Sequence, residues 1–207
     1  MTERPGEEQF SAADLEPSAD ELRARRRGVI DRVATSLAVL AAGALVGGLV
    51  ALGAGAAPLV FGMLPRAIAG NVMGAIFSRW DRVAMGASGV LLVAEIVRTW
   101  ASGARARQLP ARLRRIASVL VALCVAYIGT SLSPRIMELH RSGVHRGEGE
   151  QGAELEAVHR RAELVGKIEI VLALGLVALH VFTLRTRDDD QNEDDDAPAP
   201  LPPGPRS

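Results

Sequence analysis

Apolar residues in this chain gather into long uninterrupted runs instead of recurring at the spacing of a soluble core. Arg32 and Arg66 bracket 33 residues without a charge, Val33 to Pro65, more than the roughly 20 apolar residues that cross a bilayer core of about 30 Å. Ile116 to Pro134 gives a second clean run of 19 residues. Two further runs are interrupted by charge: Val83 to Gly103 contains Glu95 and Arg98, and Leu164 to Leu184 contains Lys167 and Glu169. The pattern predicts four spans, about 33–62, 83–103, 116–134 and 164–184, in a transmembrane domain covering 31–186. The fold class that follows is all-α, an integral membrane four-helix bundle. Between the first two spans, Leu64 to Trp80 holds Pro65, Arg66 and Arg79 and reads as a short interfacial helix.

Polar residues frame these runs. Residues 1–30 are acidic, then basic at Arg23, Arg25, Arg26 and Arg27, with too little apolar surface to offset ordering entropy, and are expected to form a disordered cytoplasmic tail. Residues 187–207 carry an acidic run and a Pro-rich end, and read as a second disordered tail. The polar N-terminal stretch is unlike the short basic start of a cleaved signal peptide, so the first span is expected to act as a signal anchor. Arginines flanking the spans fit both termini inside and a multi-pass protein of the cell membrane, of the bacterial inner-membrane type. The loop between the third and fourth spans is mixed in sign.

Composition supports this picture. The chain is 48% hydrophobic, 23% charged and only 3% aromatic, so the bundle is itself the core. Formal net charge is zero, the sum of acidic tails and arginine clusters beside the spans. Those clusters match anionic lipid headgroups, and the bilayer, not nucleic acid, is the expected partner. The single cysteine, Cys124, lies in an apolar run and excludes an intrachain disulfide.

Gly43, Gly47, Ala51 and Gly55 repeat every four residues on one face of the first span, and Gly70 with Gly74 repeats the spacing. Small residues so placed let helix backbones approach closely, within a bundle or between copies in a homo-oligomer. Pro58 is expected to kink or finish the first helix, and Pro134 to end the third or start the turn after it.

Two blocks carry a family resemblance. Gly47 to Asp81, with Ala57-Pro58, Phe61, Gly70 and Phe77, is similar to the first block of a DUF4149-like, domain-of-unknown-function membrane family related to transmembrane protein 205. Ser133 to Gly143 and Glu154 to Leu179 resemble its second block, which places Pro134, Arg135 and His159. The first helix lacks the aromatic residues expected before Ala57-Pro58, and the third loop has a Gly/Glu-rich insertion. The resemblance implies a four-helix membrane protein and assigns no activity.

Glu95 is the sharpest chemical candidate, because an ionisable group deep in a span is costly and marks function by default. Its bland explanation is an i,i+3 pair with Arg98. Lys167 invites a surface pair with Glu163, whereas Glu169 lies deeper and would face Glu95 or Arg98 across the bundle. The histidines, His140, His145, His159 and His180, raise haem or metal binding, but their spacing offers no ligand set, and ordinary interfacial histidines are the simpler expectation. Phosphate loops, nucleophile elbows and zinc motifs are absent from the sequence. The expectation is therefore no cofactor, no metal and no catalytic residue: a non-enzymatic membrane component or assembly factor. The alternatives are a small ion- or proton-coupled transporter using Glu95, Arg98, Lys167 and Glu169, or a haem- or copper-associated protein.

Overall fold

A computed structural model describes residues 17–103, 107–144 and 149–195, with the side chains of 66–67 and 184–195 left aside. Every regular element among the described residues is helical. Helix α1 (Ala19–Val50) begins within the stretch whose composition reads as a disordered tail. A capping box explains the early start: the Glu21 amide donates to Ser18 Oγ at 3.2 Å, and the Ser18 amide to Glu21 Oε2 at 2.7 Å. Two of the orphan donors at the helix end are thereby satisfied. The rest of that tail, residues 1–16, lies outside the described residues.

Neither Pro58, expected to kink or finish its helix, nor Pro134, expected to end one or start a turn, ends a helix: both sit inside continuous rods. A widened π-type segment, Ala51–Ala56, joins α1 to α2 (Ala57–Met63), with Pro58 in the first turn of α2. The same device at Ile128–Leu132 joins α4 (Leu109–Tyr127) to α5 (Ser133–Arg141), with Pro134 in the first turn of α5. A proline removes one amide donor and pushes against the carbonyl four residues earlier. A wider turn just before it accommodates both effects without ending the helix.

Helix α3 (Arg66–Ser102) is one rod of 37 residues, which corrects the separate interfacial helix expected over Leu64 to Trp80. Its interrupting charges, Arg79 and Arg82, project outward from an unbroken backbone. Pro65 starts it, and Gly103 ends it at φ 53°, a left-handed conformation that favours glycine. Helix α6 (Gly149–Asp195) likewise outruns its predicted span at both ends and takes in the first part of the predicted acidic tail; residues 196–207 lie outside the described set.

Four rods are long and apolar enough to cross a membrane: Ala19–Met63, Ile68–Ser102, Leu109–Arg141 and Gly149–Thr183. Each touches two neighbours, α1 lying against α3 and α6, and α4 against α3 and α6. This is an up-down four-helix bundle. Its centre combines small side chains, Ala34, Ala38, Ala41 and Ala42 of α1 with Ala94 of α3 and Ala173 of α6, with Leu45, Leu91, Val121 and Leu176; small residues at such positions favour close helix packing. Large side chains such as Leu40, Ile96 and Val171 point outward, as they do where the surrounding solvent is lipid.

The small-residue stripe of α1 is not part of this core. Gly43, Gly47, Ala51 and Gly55 are exposed, and a Cβ added at any of the three glycines would meet nothing within 4 Å. The close approach belongs to the neighbouring Gly48, whose missing side chain leaves the space that the Trp80 indole fills. Gly70 borders His140, with 3.9 Å between the ring Cε1 and the place a Cβ would take, while Gly74 faces open space.

Candidate functional site

The inward faces of all four helices carry polar, ionisable side chains at one end of the bundle. On α1, Asp31 continues the series Ala34, Thr35, Ala38; on α4, Arg114 starts the series Ser118, Val121, Val125; on α6, His180 closes the series Ala173, Leu176. Helical spacing therefore obliges these residues to point where the alanines and valines point. Glu95 and Arg98 of α3 meet them there. Glu95 is 3% exposed, Arg98 and Arg114 5%, and His180 is fully enclosed.

Arg114 Nε donates to both Glu95 oxygens, at 2.7 and 2.9 Å. Arg98 lies between three acceptors: its Nε is 3.3 Å from Asp31 Oδ1, its Nη1 is 3.6 Å from Glu95 Oε1, and the same Nη1 contacts His180 Nδ1. The i,i+3 pair of Glu95 with Arg98 is thus present, but Arg114 is the closer partner. Because Nδ1 accepts from a guanidinium, the imidazole proton belongs on Nε2, which faces Glu95 Oε1 at 3.6 Å. Two carboxylates, two guanidiniums and a neutral imidazole sum to no net charge. Local hydroxyls take no share: Thr35, Thr99 and Ser118 each donate to the carbonyl four residues earlier on their own helix.

At an effective dielectric of about 20, opposite charges 2.7 Å apart attract by about 6 kcal/mol. Each buried ion loses several kcal/mol on leaving water. These terms nearly cancel, so the intact network adds little to stability, while removal of one member strands a charge. Its expected contribution is register, because sliding one helix against its neighbours would separate Asp31 from Arg98 and Glu95 from Arg114. Counting back from Ser102, Glu95 lies about 10 Å inside the end of α3 at 1.5 Å per residue. Arg114 lies five residues into α4, so the network sits beneath the arginine-rich end that also carries Arg25–Arg27 and Arg112. There the Arg27 guanidinium stands 6.0 Å from the Trp100 ring centroid, a cation–π contact at the bundle end.

The other candidates lie elsewhere. Lys167 is exposed and pairs with Glu163 at 2.7 Å, away from the network. Glu169 is buried but does not face Glu95 or Arg98 across the bundle. Its electrostatic neighbours are Asp81 and Cys124, about 16 Å along α6 from His180. His180, read from sequence as an interfacial histidine, is enclosed instead by the network. His140 and His159 meet edge to face, ring centroids 5.8 Å apart; His145 falls outside the described residues. Among the described residues, no three His, Cys, Asp or Glu side chains are grouped to hold a metal ion.

Arg135 clasps the far end. Its Nε and Nη2 donate to the two Glu154 oxygens of α6 at 2.8 and 2.9 Å, and its Nη1 to Glu138 at 2.7 Å. The clasp is part-exposed, and exposed pairs contribute little. Arg135→Ala is expected to leave the melting temperature nearly unchanged while speeding protease cleavage of the α5–α6 connection, read by limited proteolysis. Unchanged cleavage would mean that the clasp does not restrain that connection.

Sequence reasoning missed Asp31 and Arg114 as site residues, and singled out His180 without placing it beside Glu95 and Arg98. The available signal was their register: each falls on the same helical stripe as its neighbouring buried alanines, valines or leucine, although hydropathy assigns the first two to the flanks. A family model, Domain of unknown function (DUF4149), matches residues 40–145, just over half of the chain. The match takes in Glu95, Arg98, Arg114, Pro58, Phe61, Gly70, Phe77, Pro134 and Arg135, and leaves Asp31, His159 and His180 beyond its ends. No curated protein and no solved structure matches the chain. On the extent of that match, this four-helix membrane chain belongs to the DUF4149 family.

Proposed function

We propose that the protein is a non-enzymatic component of a cell-membrane assembly, with both termini inside, that associates with a second copy of itself through the outer face of α1. The observation that carries this reading is the stripe Gly43, Gly47, Ala51 and Gly55, which lies outward with open space beyond it. Lipid tails gain nothing from such a groove, whereas another helix gains close backbone contact. The charge network supports the structural half of the proposal. Its charges are enclosed and committed to one another, which suits a lock better than a substrate site. Arginines at the network end favour placing that end inside. Kinship to transmembrane protein 205 belongs to the same proposal and rests on the blocks Gly47 to Asp81 and Ser133 to Gly143.

Cysteine crosslinking in native membranes tests the association, in a Cys124→Ser background. Gly47→Cys is expected to give a disulfide dimer on mild oxidation, because close-packed helices bring Cα atoms within the about 4.4–6.8 Å that a disulfide spans. Ile96→Cys, on the outward face of α3, is expected to stay monomeric. A dimer from neither variant, or equally from both, would overturn the stripe as the interface.

A further inference from the structure

One face of α3 lines a cleft against α5, toward the end of the bundle opposite the network. Along α3 that face carries Met85, then Arg82 and Asp81, then Ser78, at the three- and four-residue steps that keep side chains on one side of a helix. Ser133, Met137 and Arg141 form the other wall, and the space between is about 290 Å³. Its floor is tight: a Cβ on Gly129 would lie 3.5 Å from both Asp81 Cβ and Met85 Sδ. The same face of α3 continues through Gly74 and Asn71, which line an adjoining hollow that shares Met137 and Arg141. Arg82 stands 20 residues before Ser102, about 30 Å along α3 at 1.5 Å per residue, the thickness of a bilayer core. On α6 the exposed cation Lys167 stands 13 residues before His180, as Arg82 stands 13 before Glu95, and His180 and Glu95 lie side by side. Tyr127, exposed and two residues from Gly129, adds an aromatic ring of the kind found at a membrane boundary. The cleft therefore opens at head-group level.

We propose that this cleft binds an anionic phospholipid of the leaflet away from the network, with the lipid phosphodiester held between Arg82 and Arg141. A guanidinium offers a planar fork of N–H donors that matches two phosphate oxygens. Both arginines are exposed, and neither forms an ion pair among the described residues, with Asp81 on the same wall or with any other carboxyl group. Arg98, Arg114 and Arg135 differ in this respect, each being committed to carboxylates. The order of residues along the cleft favours a lipid over a free anion. Met85, on the bilayer side of Arg82, continues toward the acyl chains, while Gly74 and Asn71 on the far side leave room for the head-group alcohol. A head group that ends in a cation, such as choline, would bring that cation toward two unpaired guanidiniums. Basic pockets between membrane helices hold anionic head groups in this way. The arginines at 25–27, beyond the other end, gather anionic lipid by charge alone and have no such cleft.

Photo-crosslinking of the full chain in phosphatidylcholine bilayers tests the site. A small share of phosphatidylglycerol carrying a photoreactive group near its glycerol backbone is added, and labelled peptides are identified by mass spectrometry. The expected result is label on the peptides that hold Met85 and Met137, alongside label near Arg25–Arg27. Arg82→Gln combined with Arg141→Gln loses the cleft label and keeps the other, which reports that the variant is inserted. Photoreactive phosphatidylcholine at the same share labels the cleft more weakly, and excess inorganic phosphate leaves the phosphatidylglycerol label in place. These last two comparisons use the wild-type chain, so they decide the matter even where the double variant fails to fold. Equal labelling by the two lipids, or cleft label unchanged in a folded double variant, overturns the proposal. So does displacement by inorganic phosphate, since the cleft would then be a site for the free anion.

Discussion

Arg114→Met is expected to destabilise the bundle by about 3–5 kcal/mol, the range for breaking a buried ion pair by removing one partner. The loss follows from what remains. Glu95 keeps only the 3.6 Å approaches of Arg98 Nη1 and His180 Nε2, Arg98 being also committed to Asp31, and its 3% exposure gives water no access. Methionine keeps the side chain's length and apolar bulk, so the effect reports charge and hydrogen bonding more than a cavity. Unfolding in mixed micelles measures it. A loss below about 1 kcal/mol would place the pair among exposed ion pairs and mean that Glu95 reaches water or another partner.

At Gly48 the outcome turns on shape. The indole of Trp80 occupies the volume that a Cβ on Gly48 would need, so Gly48→Ala forces the ring out of its seat between α1 and α3. Overpacking of this kind typically costs about 1–3 kcal/mol. Removing glycine from a helix interior would by itself contribute up to about 1 kcal/mol in the opposite direction, and the clash prevails. Gly47→Ala is the control one residue away: its added methyl meets open space, and its stability should equal or exceed wild type. Tryptophan emission follows the displacement, read in a Trp100→Phe background because Trp100 is exposed. If Gly48→Ala and Gly47→Ala behave alike, the Trp80 contact does not hold α1 against α3.

The existence of four spans was legible because bilayer-length apolar runs leave few alternatives, and Val33 to Pro65 could be little else. Boundaries were harder, for reasons that particular residues show. Pro58 read as a kink or a helix end, and Pro134 as an end or the start of a turn, because the local rule concerns an ordinary α-helical turn; a π-type turn ahead of each lets the rod continue. Leu64 to Trp80 read as a separate interfacial helix because the charges of Arg66 and Arg79 were counted along the sequence, whereas Arg79 is an exposed side chain on the continuous helix α3. The Ser18–Glu21 capping box was visible in the sequence, but the acidic composition around it masked a helix start.

The site divides in the same way. Depth alone singled out Glu95, and i,i+3 spacing paired it with Arg98, since both facts belong to a single helix. Its closest partner, Arg114, sits 19 residues away on another helix, where no local rule can place it. Glu169 was identified as buried, but its neighbour depended on the axial offset of α6 against α3, which only packing fixes. The stripe at Gly43, Gly47, Ala51 and Gly55 was recognised as a packing face, and the structure turns that face away from the bundle because the alanines of α1 already fill the inside.

The central claim is that the charge network locks the four helices together, and a double-substitution cycle tests it most directly. Glu95→Leu, Arg114→Leu and the double variant would each be unfolded in the same micelles. Each single change should cost about 3–5 kcal/mol, and the double should return to within about 1 kcal/mol of wild type or exceed it, since an apolar pair can replace a buried ion pair without loss. A double variant whose cost equals the sum of the two singles would contradict the account, because Glu95 and Arg114 would then act independently.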